Sequence, residues 1–194
     1  AMALLDQPEM LRARAEREGY LFLPGLLPAR AVLDVRRAFL SIVDEAGWLD
    51  ASAGFDEAVV ASEAFAVEPE PDFMAVLYRQ FAETGLHELQ HHPALVGVME
   101  ILFAEPVLVH PRSILRNIFP QRDEYTTPAH QDFVHFQGTQ RCYAAWIPFG
   151  ACSEDMGGLA VAEGSHRGGI YDVRPALGAG ALEVTELSLI HISE

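Results

Sequence analysis

Three places in this sequence carry residue types and spacings that could do chemistry. The first is His87-Glu88-Leu89-Gln90-His91, which fits the pattern H-E-x-x-H. On a helix, histidines at i and i+4 share a face and can bind zinc, and the glutamate can take a proton from bound water. Pro93 follows two residues later and would stop the helix such a site needs. The motif therefore reads as a zinc metallopeptidase site or, more plainly, as a polar helix end before a turn. The second is His130-Gln131-Asp132. In a strand, residues i and i+2 point to the same side, so imidazole and carboxylate can chelate one metal together. With a distant histidine they would form the facial triad of non-haem iron oxygenases, which leaves positions open for a cosubstrate and O2. Taken alone, H-x-D reads as a solvated strand end. The third is His191, far enough downstream to complete such a triad.

The elements that would position these residues change character along the chain. A helix is predicted over 8–18, with Pro8 in its first turn and Gly19 at its end. Tyr20-Leu21-Phe22-Leu23 reads as a short buried strand between Gly19 and Pro24-Gly25. From Pro28 to about Ala46, Val32, Val35, Phe39, Ile42 and Val43 recur at helical spacing. Residues 50–72 are small, acidic and proline-containing, and read as a loop or lid. Helices are predicted over 73–89 and 93–103. After Pro106 the texture is β, with short runs at 107–109, 113–119, 143–149 and 159–161 separated by glycine-rich turns. Helices first and short strands after point to an antiparallel sandwich or barrel on a helical support.

Composition narrows the function. The chain has 194 residues, half of them hydrophobic, which suits one domain. Thirteen Lys and Arg stand against 28 Asp and Glu, a formal charge of −15. Phosphate backbones and anionic lipid would repel such a chain, so neither nucleic acid nor a membrane is an expected partner. No apolar run reaches the length of about 20 residues that crosses a bilayer. No signal peptide is visible, and Cys142 and Cys152 are too few for a disulfide framework, so a cytoplasmic location is expected. Both cysteines read as small buried hydrophobes.

Context then raises the weight of the H-x-D. The order runs Thr126-Thr127-Pro128-Ala129-His130-Gln131-Asp132-Phe133, Trp146-Ile147-Pro148-Phe149, Gly157-Gly158-Leu159-Ala160-Val161 and Gly164-Ser165-His166-Arg167, after an opening Glu18-Gly19-Tyr20-Leu21-Phe22-Leu23-Pro24-Gly25. This series resembles the phytanoyl-CoA dioxygenase family of Fe(II)/2-oxoglutarate oxygenases over roughly residues 10–180. The resemblance implies a mainly β fold with flanking α-helices around a double-stranded β-helix, the jelly roll or cupin-like core. It implies hydroxylation of a small or medium organic substrate with O2, Fe(II) and 2-oxoglutarate. His130 and Asp132 would be iron ligands, and Trp146 and Arg116 would lie by the cosubstrate. Trp146 reads otherwise as a core aromatic and Arg116 as a solvent-facing arginine. His166 would not be a ligand, and His135, three residues beyond Asp132, should face away from the metal if the strand continues.

His191 does not fit the family's distal histidine. No Gly-Asp precedes it, and only Ile192, Ser193 and Glu194 follow, where the family has a basic residue for the far carboxylate of 2-oxoglutarate. Residues 187–194 look like the translated end of a sequencing adapter. The expected organisation is therefore one domain over 1–186, a helical support to about 105 and a jelly-roll part from 106, incomplete at its C-terminus, with 187–194 a non-native tail. On that expectation the parent is an oxygenase and this exact chain is inactive. A jelly-roll binding module without catalysis is the remaining alternative, and oligomeric state is not readable.

Overall fold

Prolines and glycines punctuate the N-terminal half where the sequence places them. The structure, a computed structural model, describes residues 1–120, 125–136, 138–153, 156–177 and 181–185. Helix α1 spans Pro8–Glu18, with proline in its first turn and Gly19 as a left-handed cap at φ +82°. Helix α2 spans Ala29–Glu45 and buries Val35, Phe39, Leu40, Ile42 and Val43 on one face. The predicted helix over 73–89 is two helices, α3 at Pro71–Phe81 and α4 at Thr84–Gln90, and α5 follows at Pro93–Phe103. Helix α2 packs on α3 and α4, and α1 packs on α5. Trp48 joins the core formed by α2, α3 and α4, stacked on Phe73 and edge-on to Phe119 at 5.1 Å.

Residues 50–72 are largely loop, as predicted, with a 3-10 turn at Phe55–Glu57 and a single bridge between Leu49 and Val60. The predicted strand at 20–23 does not form. Phe22 is 71% exposed, and the stretch has no ladder partner among the described residues.

The β-rich half departs further from expectation. Among the described residues the structure is 42% helix and 5% strand, so a mainly β fold is not what these residues adopt. One antiparallel hairpin is formed, β1 at Val173–Pro175 with β2 at Leu182–Val184. The runs at 107–109, 143–149 and 159–161 have no ladder among the described residues, and Leu108, Tyr143, Trp146, Leu159 and Val161 are exposed. β-propensity reports fit to a pleated, half-buried surface, and without neighbouring strands it builds no sheet. The run at 113–119 keeps the strand alternation nonetheless. Leu115 and Phe119 turn into the helical core, and Ile114, Arg116 and Ile118 turn out. Gln80 on α3, 1% exposed, exchanges two amide hydrogen bonds with Asn117, at 3.0 and 2.8 Å, and so ties this run to the helices. Residues 187–194, His191 among them, lie outside the described residues. No helix among the described residues is long and apolar enough to cross a membrane.

The Gly-Ser-His-Arg turn closes the far end of α1. A helix leaves its last four carbonyls without intrahelical partners. Here all four are met. Gly19 N–H donates to Ala15, the His166 ring to Glu16 at 2.8 Å, the Arg167 guanidinium to Arg17, and Gly164 N–H to Glu18 at 3.4 Å. Gly19 is required twice over. Its φ is positive, and a Cβ there would stand 2.2 Å from His166 Nδ1.

Gly19→Ala is therefore expected to destabilise the chain by about 2 kcal/mol or more in urea unfolding followed by far-ultraviolet circular dichroism. On a His166→Ala background the same change should cost less, because the clash is gone. Equal costs on both backgrounds would contradict the close approach.

Candidate metal centre

His130 and Asp132 meet. Nε2 of His130 stands 3.3 Å from Oδ1 of Asp132, with both side chains about one-third exposed or less. The other ring nitrogen, Nδ1, is 2.7 Å from the carbonyl oxygen of Pro128. A carbonyl can only accept, so Nδ1 carries the proton and Nε2 is the atom presented to the carboxylate. The hydrogen bond that His130 donates to Asp132 raises the His130 pKa above its ordinary value, burial opposes this, and the Pro128 carbonyl adds to the rise. The same bond from His130 holds the Asp132 carboxyl low against the opposing effect of burial.

The backbone around the pair is pinned from two sides. Val184 of β2 donates its N–H to the Ala129 carbonyl at 2.9 Å. The Gln131 amide donates to the Gly169 carbonyl at 2.8 Å and accepts the Tyr171 N–H at 3.0 Å. Neither the run through His130 and Asp132 nor the chain beyond it is the strand that the spacing predicts. Residues Phe133–Phe136 form one helical turn, α6, in which His135 N–H bonds the Asp132 carbonyl. That turn overturns the expectation for His135. Its ring comes to 6.2 Å from the His130 ring, between centroids, and its charge helps hold the Asp132 carboxyl low.

Arg116 is close enough for its charge to act on both His130 and Asp132. Its guanidinium pairs with Glu68 at 3.3 Å, so the acidic loop reaches the candidate site through that carboxylate. Trp146 is 51% exposed and lies outside the core cluster. Cys142 and Cys152 are both exposed residues, not buried hydrophobes. The Asp132 charge nevertheless adds to burial in raising the Cys142 thiol pKa, which puts that thiol near the pair. Glu68 and His135 were not legible as neighbours of the pair, nor were Gly169 and Tyr171 as partners of Gln131. Each arrives through a loop, a turn or a partner far along the chain.

The H-E-x-x-H does not assemble. Helix α4 has seven residues and ends at Gln90, so His91 is its cap and not part of a continuing face. The His87 ring bonds the Phe81 carbonyl at 2.8 Å, and the His91 ring bonds the His87 carbonyl at 2.9 Å. Both rings serve helix ends, which overturns the zinc-peptidase alternative. Among the described residues no group of three or more His, Cys, Asp or Glu side chains is placed to hold a metal ion.

Comparison with known proteins gives a consistent answer. Residues 15–179 match the phytanoyl-CoA dioxygenase family. A 1-deoxypentalenic acid 11-beta-hydroxylase from Streptomyces exfoliatus is 29% identical over 177 residues, covering 86% of this chain and 57% of the relative. Its namesake from Streptomyces arenae is 27% identical with the same coverage. The chain thus spans 57% of the length of these curated relatives. No solved structure matches it significantly.

The pairing has a measurable signature in the metal-free protein. Asp132→Asn should bring the His130 titration, followed by NMR of its ring protons, down toward the ordinary imidazole value. The raised pKa means that the stabilisation from this pair is full below the ordinary imidazole value and fades as pH rises through the His130 pKa. An unchanged His130 midpoint in Asp132→Asn would contradict the contact.

Proposed function

The chain belongs to the phytanoyl-CoA dioxygenase family, and from that premise we propose an Fe(II)/2-oxoglutarate-dependent dioxygenase that hydroxylates a small or medium organic substrate. The observation that carries the reading is the convergence of His130 Nε2 and Asp132 Oδ1. Bonds of about 2.0–2.2 Å place two neighbouring donors on one ion roughly 3 Å apart, and this pair fits that spacing. The chemistry of the donors fits as well. One imidazole, with its far nitrogen bonded to a carbonyl, and one carboxylate suit a divalent iron with open positions. The names of the relatives, hydroxylases of an organic acid, support the substrate class.

Fe(II) with 2-oxoglutarate and O2 would supply the oxidising chemistry, turning over to succinate and CO2 as a substrate C–H is hydroxylated. The residues of the chain hold and orient. The Pro128 carbonyl keeps the proton on Nδ1 of His130 and so leaves Nε2 as the donor atom. His130 Nε2 and Asp132 would hold the ion, and Nε2 would have to be free of its proton to do so. Arg116 offers a cation to a carboxylate of 2-oxoglutarate, and Glu68 occupies it meanwhile. Trp146 is assigned to the cosubstrate side by family likeness. A third protein donor and the basic partner for the far carboxylate are assigned to sequence outside 1–186. The 194-residue chain is accordingly taken as a fragment that binds iron weakly and turns over little or not at all. Its −15 charge supports neither nucleic acid nor an anionic membrane as a partner.

Anaerobic titration with Fe(II) in the presence of 2-oxoglutarate tests this reading. Weak binding is expected, lost in His130→Ala and in Asp132→Ala and retained in Glu88→Ala. Binding that survives both ligand substitutions, or no binding to the wild-type chain, would overturn it.

A further inference from the structure

We propose that Gln131, the middle residue of the His-Gln-Asp run, is the positioning residue that aims His130 and Asp132 at a common point. The inference rests on the oxygenase reading for its purpose, but its geometry stands by itself. Gln131 lies between His130 and Asp132 in the chain, and its side chain engages residues 169 and 171 while theirs meet each other. Its amide is fastened at both ends. Nε2 donates to the Gly169 carbonyl at 2.8 Å, and Oε1 accepts the Tyr171 N–H at 3.0 Å. Two bonds of opposite sense to one backbone stretch stop the run from turning about its own axis, which a single bond would allow. Because rotation would swing His130 and Asp132 together, stopping it fixes the direction of both.

The anchor is itself fixed. Tyr171 donates its hydroxyl to the Ser165 carbonyl at 3.0 Å. Gly168 admits that hydroxyl, since a Cβ there would stand 2.0 Å from it. Ser165 belongs to the turn that closes α1 through His166 and Arg167. The direction of the candidate ligands is thus referred back to the end of a packed helix. A side chain chosen only to fill space would need neither the donor nor the acceptor. Glutamine supplies both at the required reach, whereas asparagine is one methylene short and glutamate lacks the donor.

The test uses the 194-residue chain with 15N-labelled histidine, with and without Fe(II) under anaerobic conditions. In the metal-free wild type the His130 Nδ1–H, bonded to Pro128, should give a resolved proton signal. Gln131→Ala and Gln131→Asn should lose that signal to exchange with water and weaken Fe(II) binding by about 10–100-fold, the usual cost of removing a support behind a metal ligand. Gln131→Glu, which keeps the acceptor for Tyr171, should fall between. Urea unfolding is followed in parallel. A residue that merely supports the fold would lower the unfolding midpoint and leave the His130 signal of the folded protein intact, and that outcome overturns the proposal. So does an unchanged signal with unchanged Fe(II) affinity. If the wild type binds no Fe(II), the oxygenase reading fails, and the His130 signal still decides whether Gln131 sets the geometry.

Discussion

The four carbonyl oxygens at the C-terminal end of α1 are the constraint on which the site depends. A helix end leaves them without partners, and water satisfies them at the cost of a fixed direction for the chain beyond. In this protein Gly19 and the turn Gly164–Arg167 meet all four, 150 residues apart in sequence for the two side-chain bonds. The contact is electrostatically apt, since a cationic arginine lies against the negative end of the helix dipole. It also gives the poorly paired second half of the chain a rigid reference. From that turn the hydrogen bonds run through Tyr171 to Gln131, and so to the segment carrying His130 and Asp132.

A second tie comes from α3. The reciprocal amide pair between Gln80 and Asn117 is buried, and leaving either amide unmatched there costs about 1–3 kcal/mol. Because Asn117 is held, its neighbour Arg116 is held on the outward side of the run, where it meets Glu68 and its charge acts on His130 and Asp132. Two polar anchors, one at α1 and one at α3, thus bring a cation and two candidate ligands into one region without a completed sheet.

Much of the helical half was legible in the sequence because its signals are local. Pro8, Gly19 and Pro93 mark ends, and α2 shows its apolar face at helical spacing. The break between α3 and α4 was not legible, since Ala82 and Glu83 carry no breaker. The strands failed for a different reason. A strand needs neighbours, and β-rich stretches such as 143–149 and 159–161 have none among the described residues. The run 113–119 kept its predicted alternation because the helical core buries one face of it. At the site, the spacing of His130 and Asp132 was enough to expect their meeting. The return of His135 depends on a helical turn that ends the strand pattern, and the clamp on Gln131 depends on residues some forty positions away. Cys142 and Cys152, read as buried from their type alone, are exposed, since residue type does not say whether a neighbouring strand covers the stretch.

The account stands or falls on whether His130 and Asp132 support oxidation. The most direct measurement is Fe(II)-dependent conversion of 2-oxoglutarate to succinate by the whole protein expressed from its source gene, alongside its Asp132→Ala variant. Succinate formed by the former and abolished in the latter is the result this account predicts. Succinate formed equally by both, or no conversion by an iron-loaded protein with the pair intact, would contradict it.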